Sequence, residues 1–139
     1  MTGLNDNDHG SVSQTDFESM VNEGLRSLPE EVREKISNVA IIIADRPGLN
    51  QRRKMRLGRG SLLLGLYEGV PLTERGAAYS ALPDKITLFR RDIEKAAKND
   101  RTSVSQVVKD TVWHEVAHHF GMSETEVAQR ESERLIEDQ

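Results

Sequence analysis

The chain has 139 residues, 36% hydrophobic and 30% charged, with a formal net charge of −4 and no cysteine. That length suits one domain with a core of its own, and the acidic balance argues against a protein whose main business is coating nucleic acid. Missing cysteines exclude a disulfide scaffold and agree with a reducing compartment, so the cytoplasm is the expected location, and no apolar run is long enough to span a membrane.

Residues 1–14 are rich in Gly, Asn, Asp and Ser and read as a disordered leader. They lack the basic start and apolar core of a signal peptide. The folded domain is expected over 15–139. Thr15 with Glu18 forms a capping-box pattern opening a helix whose apolar face is Phe17, Val21, Leu25 and Leu28. Pro29 fits the first turn of a second helix reaching about Ile36. Val39 to Ala44 is a β-branched apolar run, hence a buried strand. Residues 45–60 read as a loop rich in Gly, Pro and Arg, Leu62 to Tyr67 as a strand, and 69–83 as another loop. Ile86 to Phe89 is a third strand and Asp92 to Lys98 a short helix. A longer helix follows over 103–120, then a polar one over about 124–136. Strands and helices share one small core, so the expected class is α+β.

The 103–120 helix carries the chemistry. Ser103 with Gln106 resembles a capping box, Val104, Val107, Val108, Val112, Val116 and Phe120 recur at helical spacing, and Gly121 stands where a left-handed residue often ends a helix. Within it lies His114-Glu115-Val116-Ala117-His118-His119, which contains H-E-x-x-H. Positions i and i+4 share a helix face about 6 Å apart along the axis, so His114 and His118 can aim two ring nitrogens at one metal ion. Glu115 lies beside that face and can serve as a base without ligating. The surrounding positions are apolar, so these polar groups sit where desolvation is costly without a partner. His119 lies well round the helix from the pair and is expected to support the ligands from behind or to sit on the surface.

Catalytic zinc usually takes three protein ligands. The fourth histidine, His9, is in the polar leader, so the third ligand is expected to be a carboxylate or to come from another molecule. Glu124, Glu126, Glu131, Glu133, Glu137 and Asp138 follow the motif. Spacing favours Glu124, because Gly121 allows a sharp turn and three residues later a side chain can fold back onto the metal. The result is H-E-x-x-H-x-x-G-x-x-E, close to an extended zinc signature ending in His or Asp.

The segment His114 to Glu124 resembles the active-site segment of the small zincin-like bacterial metallopeptidases, also called minimal metalloproteases. Gly65-Leu66-Tyr67-Glu68-Gly69 resembles the family's G-L-Y-E-G segment, and Leu82-Pro83-Asp84-Lys85-Ile86-Thr87-Leu88 its L-P-D-x-I-x-L strand. Leu28-Pro29-Glu30-Glu31 leading into Val39 to Ile43 is a weaker match. The family motif usually ends in Asp where this chain has Glu124. The resemblance implies a compact zincin-like domain holding one zinc ion, with His114, His118 and Glu124 as ligands and Glu115 as general base for peptide-bond hydrolysis. It also implies that Leu62 to Tyr67 is an edge strand against which an extended substrate lies, with Tyr67 and Glu68 bordering the cleft. A tyrosine hydroxyl there could stabilise an oxyanion. The plainer reading makes Tyr67 a half-buried strand residue and Glu68 a solvated turn residue.

One feature stands apart. Between Asp45 and Glu68 there is no acidic residue, yet Arg46, Arg52, Arg53, Lys54, Arg56 and Arg59 fall in that stretch. A loop so basic suits an acidic peptide, a nucleic acid or a protein partner, or is simply solvated. It carries no aromatic residue for stacking on bases. Besides a zinc peptidase acting on a peptide or protein, two alternatives remain. One is a metal-containing peptide-binding module with little or no catalysis. The other is a metal-dependent nuclease, against which Glu115 and the missing third histidine count.

Overall fold

The computed structural model describes residues 11–69 and 84–121, together with 125–126, 129–130 and 132–133. The expected leader up to residue 10, most of the 69–83 loop, and Glu124 lie outside these.

Helix α1 spans Gln14–Arg26, and its cap is Ser13, whose hydroxyl accepts from the Asp16 amide at 3.1 Å. The helix therefore begins ahead of the Thr15–Glu18 pattern. Ser13 offers an equivalent cap two residues earlier, and Thr15 is already inside the first turn. The two residues before the cap are tied down. The Val12 amide donates to Glu94 Oε2 at 2.6 Å, Arg90 donates to the Val12 carbonyl at 2.7 Å, and Arg91 reaches the Ser11 hydroxyl at 3.0 Å. Helix α2 covers Glu30–Lys35 with Pro29 as its cap, and strand β1 covers Ala40–Ala44.

Inside the expected 45–60 loop lies a short helix, α3, Leu49–Lys54. It has no buried residue, so it leaves no apolar period in the sequence. The Gly48 amide donates to the Gln51 side chain at 2.8 Å and closes its first turn. Strand β2 is Gly65–Glu68, shorter at its start than Leu62 to Tyr67. The reason is a tertiary contact: the Leu63 amide donates to the Asp92 carboxylate at 3.0 Å and so is turned away from the ladder. Strand β3, Lys85–Phe89, runs straight into helix α4, Arg90–Asp100, and helix α5 covers Val104–His119. Beyond it, the described residues between 125 and 133 are helical and exposed.

The sheet has the order β1-β3-β2. β1 pairs with β3 in parallel, Ala40 opposite Lys85, and β2 pairs with β3 antiparallel, Gly65 opposite Leu88. β2 is thus an edge strand among the described residues, as expected. The fold is α+β, with helices and a small mixed sheet around one core. Helix α5 runs through that core: its Val107, Val108, Val112 and Val116 are buried with Phe17 and Val21 of α1, Ile86 and Leu88 of β3, and Ile93 and Ala97 of α4. Each large side chain so buried contributes roughly 1.5–3 kcal/mol. Helix α1 packs on α5 at Gly24, where an added Cβ would make ordinary contact, 3.5 Å from the Lys109 Cα. Among the described residues no helix is long and apolar enough to cross a membrane.

Candidate metal site

The H-E-x-x-H run occupies the last turns of α5, and both ends of that helix are pinned. At the start the Ser103 hydroxyl accepts from the Gln106 amide at 3.0 Å, while the Gln106 side chain turns to Asp110 Oδ1 at 2.9 Å instead of closing a reciprocal box. At the end the Phe120 amide donates to the Val116 and Ala117 carbonyls. Gly121, with φ of 83°, donates to the His118 carbonyl at 2.9 Å. That left-handed glycine closes the helix directly after the motif.

His114 and His118 are half-buried on one face, with ring centres 4.9 Å apart and planes at 71°. Two imidazoles bound through zinc–nitrogen bonds of about 2 Å at a tetrahedral angle have ring centres about 5 Å apart. The pair therefore fits a zinc ion in distance and in donor chemistry. Among the described residues no group of three ligating side chains converges. The sequence-favoured third ligand, Glu124, lies outside them, as do Glu131, Glu137 and Asp138. Glu126 is exposed, and Glu133 is exposed and paired with Arg130 at 3.8 Å.

Glu115 is buried, only 7% exposed, and faces β2. A Cβ on Gly65 would stand 2.8 Å from Thr111 Cγ2 and 3.0 Å from Glu115 Cγ, so the strand passes the helix at a distance only glycine permits. Between them runs an open cleft of about 360 Å³, with Leu63, Leu64 and Gly65 on one wall and Thr111, His114 and Glu115 on the other. The candidate base and one candidate ligand thus share a groove with the segment leading into the edge strand.

His119 is not a surface residue. It is 2% exposed, its Nδ1 lies 2.9 Å from Asp84 Oδ2, and its ring meets Tyr67 edge-on at 5.6 Å. The Tyr67 hydroxyl donates to the same Asp84 oxygen at 2.8 Å. Tyr67 is the half-buried strand residue of the plainer reading, with its hydroxyl engaged by Asp84. Glu68 closes β2 and meets Lys54 at 3.4 Å and Lys85 at 3.7 Å, and so is less solvated than a turn residue would be. Asp84 is the residue to which sequence reasoning gave no role. It sits in the L-P-D segment already singled out, and an aspartate just before a buried strand was the available signal. Its burial at 4% exposure ties the end of the motif helix to the sheet.

The family model described as zincin-like metallopeptidase matches residues 36–134, which takes in the whole motif. Among solved structures, a conserved hypothetical protein from Thermo thermophilus is similar, with a TM-score of 0.55 and 21% identity. That match covers 78% of this chain and 94% of the other, and it shows a shared fold. No curated protein matches the chain.

Proposed function

The chain belongs to the zincin-like metallopeptidase family, and from that premise we propose that it is a zinc-dependent hydrolase of peptide bonds with Glu115 as general base. The observation that carries this reading is one cleft lined by a buried glutamate, the approach to an edge strand and His114, the first of a histidine pair whose spacing suits a metal ion.

His114 and His118 would hold the ion through one ring nitrogen each, with Glu124 as the proposed third ligand on the far side of the Gly121 turn. When bound, zinc supplies Lewis acidity toward a carbonyl oxygen and lowers the pKa of water toward about 7. The Glu115 carboxylate takes the proton of the attacking water and passes it to the leaving amine. Its position against Gly65 fixes the carboxylate beside the strand, where an extended substrate is held by backbone hydrogen bonds. The substrate is a peptide or protein, and the cysteine-free sequence suits a cytoplasmic enzyme.

The deciding experiment pairs metal content with peptide cleavage in wild type and Glu115→Gln. About one zinc per chain in both proteins, with cleavage lost in the variant alone, is the expected result. Cleavage that survives Glu115→Gln would refute the mechanism. Zinc bound without cleavage by wild type would leave a metal-containing binding module.

A further inference from the structure

Beside the cleft lies a second, larger concavity of about 520 Å³, formed by the 46–62 segment and the first turns of α4. Its charged lining is Arg46, Arg52, Arg59, Arg91 and Lys95 against a single carboxylate, Asp92. That carboxylate is buried and accepts from the Leu63 amide. Arg52 donates to the carbonyls of Gly58 at 2.7 Å and Ser61 at 3.1 Å. Both acceptors are neutral, so this arginine folds the loop while its charge stays uncompensated. Arg46, Arg59 and Lys95 are exposed and have no acidic partner among the described residues. Arg91 also meets Glu94 at 3.5 Å, and the remaining lining keeps this concavity locally basic in a chain of net charge −4.

The two concavities are consecutive. Ser61 and Leu62 line the basin, and Leu63, Leu64 and Gly65 line the cleft. Helix α4 supplies Arg91 and Lys95 to the first and Ala96 to the second. A chain lying along residues 61–65 would pass from Glu115 into the basin within about three to four residues, at no more than about 3.6 Å each. We infer that the basin is a specificity subsite of the peptidase, binding Asp or Glu side chains that lie about two to four residues to one side of the cleaved bond. The inference rests on the peptidase reading of the neighbouring cleft. Its lining contains no aromatic side chain, so it offers bases no stacking platform, and this favours an acidic peptide over a nucleic acid.

The test uses two readouts. First, fluorescein-labelled peptides identical except for an Asp/Glu pair or a Ser pair are titrated onto zinc-loaded full-length Glu115→Gln protein, with and without Arg46→Gln, Arg59→Gln and Lys95→Gln. A melting curve checks that the triple substitution, confined to exposed side chains, folds. Second, the same peptides are offered to wild type and cleavage rates are compared. The acidic peptide should bind more tightly, lose affinity with salt, and weaken about tenfold in the triple variant, each exposed charge contributing a modest share. Equal binding of the two peptides, or a preference untouched by the triple variant, overturns the inference. So does a short single-stranded RNA that binds more tightly and displaces the peptide. The two readings fail separately. Acidic preference in binding without cleavage by wild type sustains the basin and sinks the peptidase. Cleavage without acidic preference does the reverse.

Discussion

Gly65 carries a constraint that no other residue type meets. An added methyl would fall 2.8 Å from Thr111 Cγ2 and 3.0 Å from Glu115 Cγ, so the strand or both side chains must shift. Gly65→Ala should therefore cost about 1–3 kcal/mol by overpacking. It should also cut kcat while zinc content holds, because it displaces Glu115 and leaves the histidines in place. Urea unfolding and a metal assay on the same preparation separate the two effects; unchanged turnover would mean that Glu115 does not act from this position. Asp84 makes a different demand. Its Oδ2 receives the half-buried Tyr67 hydroxyl at 2.8 Å and stands 2.9 Å from Nδ1 of the buried His119. Asp84→Ala removes the shared partner of the buried His119 and the half-buried Tyr67 and should cost about 3 kcal/mol, whereas Tyr67→Phe deletes one hydrogen bond and should cost about 1 kcal/mol. Because that hydroxyl is engaged by Asp84, Tyr67→Phe should lower stability and leave kcat within about twofold, while losses near 10²-fold accompany removal of an oxyanion donor. A loss of that size would show instead that the hydroxyl swings to the reaction.

Helix ends show where sequence reading succeeds and where it stops. The span of α5 was legible because three signals agreed: a serine cap, a valine period and Gly121 at the left-handed position. The candidate histidine pair was legible for the same reason, since i and i+4 on a helix fix two side chains without tertiary knowledge. Helix α3 was not, because an exposed six-residue helix buries nothing and leaves no periodic trace. Nor was the late start of strand pairing at Gly65, since the Leu63 amide is taken by Asp92 from a distant part of the chain. The role of Asp84 likewise emerges only when β3 and the end of α5 are brought together. Helices α3 and α4 also end unusually, with arginines at left-handed positions: Arg56 at φ 56° and Arg101 at φ 55°. At α4 the Thr102 amide donates to the Ala97 carbonyl and the Arg101 amide to that of Lys98, the pairing a glycine usually completes. The side chain of a non-glycine residue costs about 1–2 kcal/mol there, partly offset by the entropy a glycine would lose on folding. Arg101→Gly should thus stabilise by about 0.5–1 kcal/mol, and Gly121→Ala, the opposite change at φ 83°, should destabilise by about 1 kcal/mol. Chemical denaturation of the two variants beside wild type checks the pair. Matching signs would show that local packing, not the backbone angle, governs these termini.

At the scale of the whole molecule, α5 is both the packing hub and the carrier of the candidate ligands. It touches α1, α4, β2 and β3, so the fold cannot open without disturbing the histidine pair. A metal that binds only the folded chain then stabilises all of it, by about 2.7 kcal/mol at a free concentration a hundredfold above its Kd. For a domain of this size that amounts to a rise in Tm of about 10 °C. His118 is half-buried and lies outside the buried core, so His118→Ala should melt close to wild type when both are stripped with chelator. Of these two, wild type alone should gain stability when zinc is restored, and Glu124→Ala should gain less than wild type if that carboxylate completes the site. The comparison of the two histidine-motif proteins with and without metal is the informative one, because each serves as its own reference for packing. Equal gains in wild type and His118→Ala would place the metal elsewhere on the chain. Absence of any gain would mean that two imidazoles and this chain's own carboxylates do not make a site. A full gain in Glu124→Ala would move the third ligand to another side chain or to a partner. The chelator experiment therefore reads the one part of the site that the helix geometry alone does not determine.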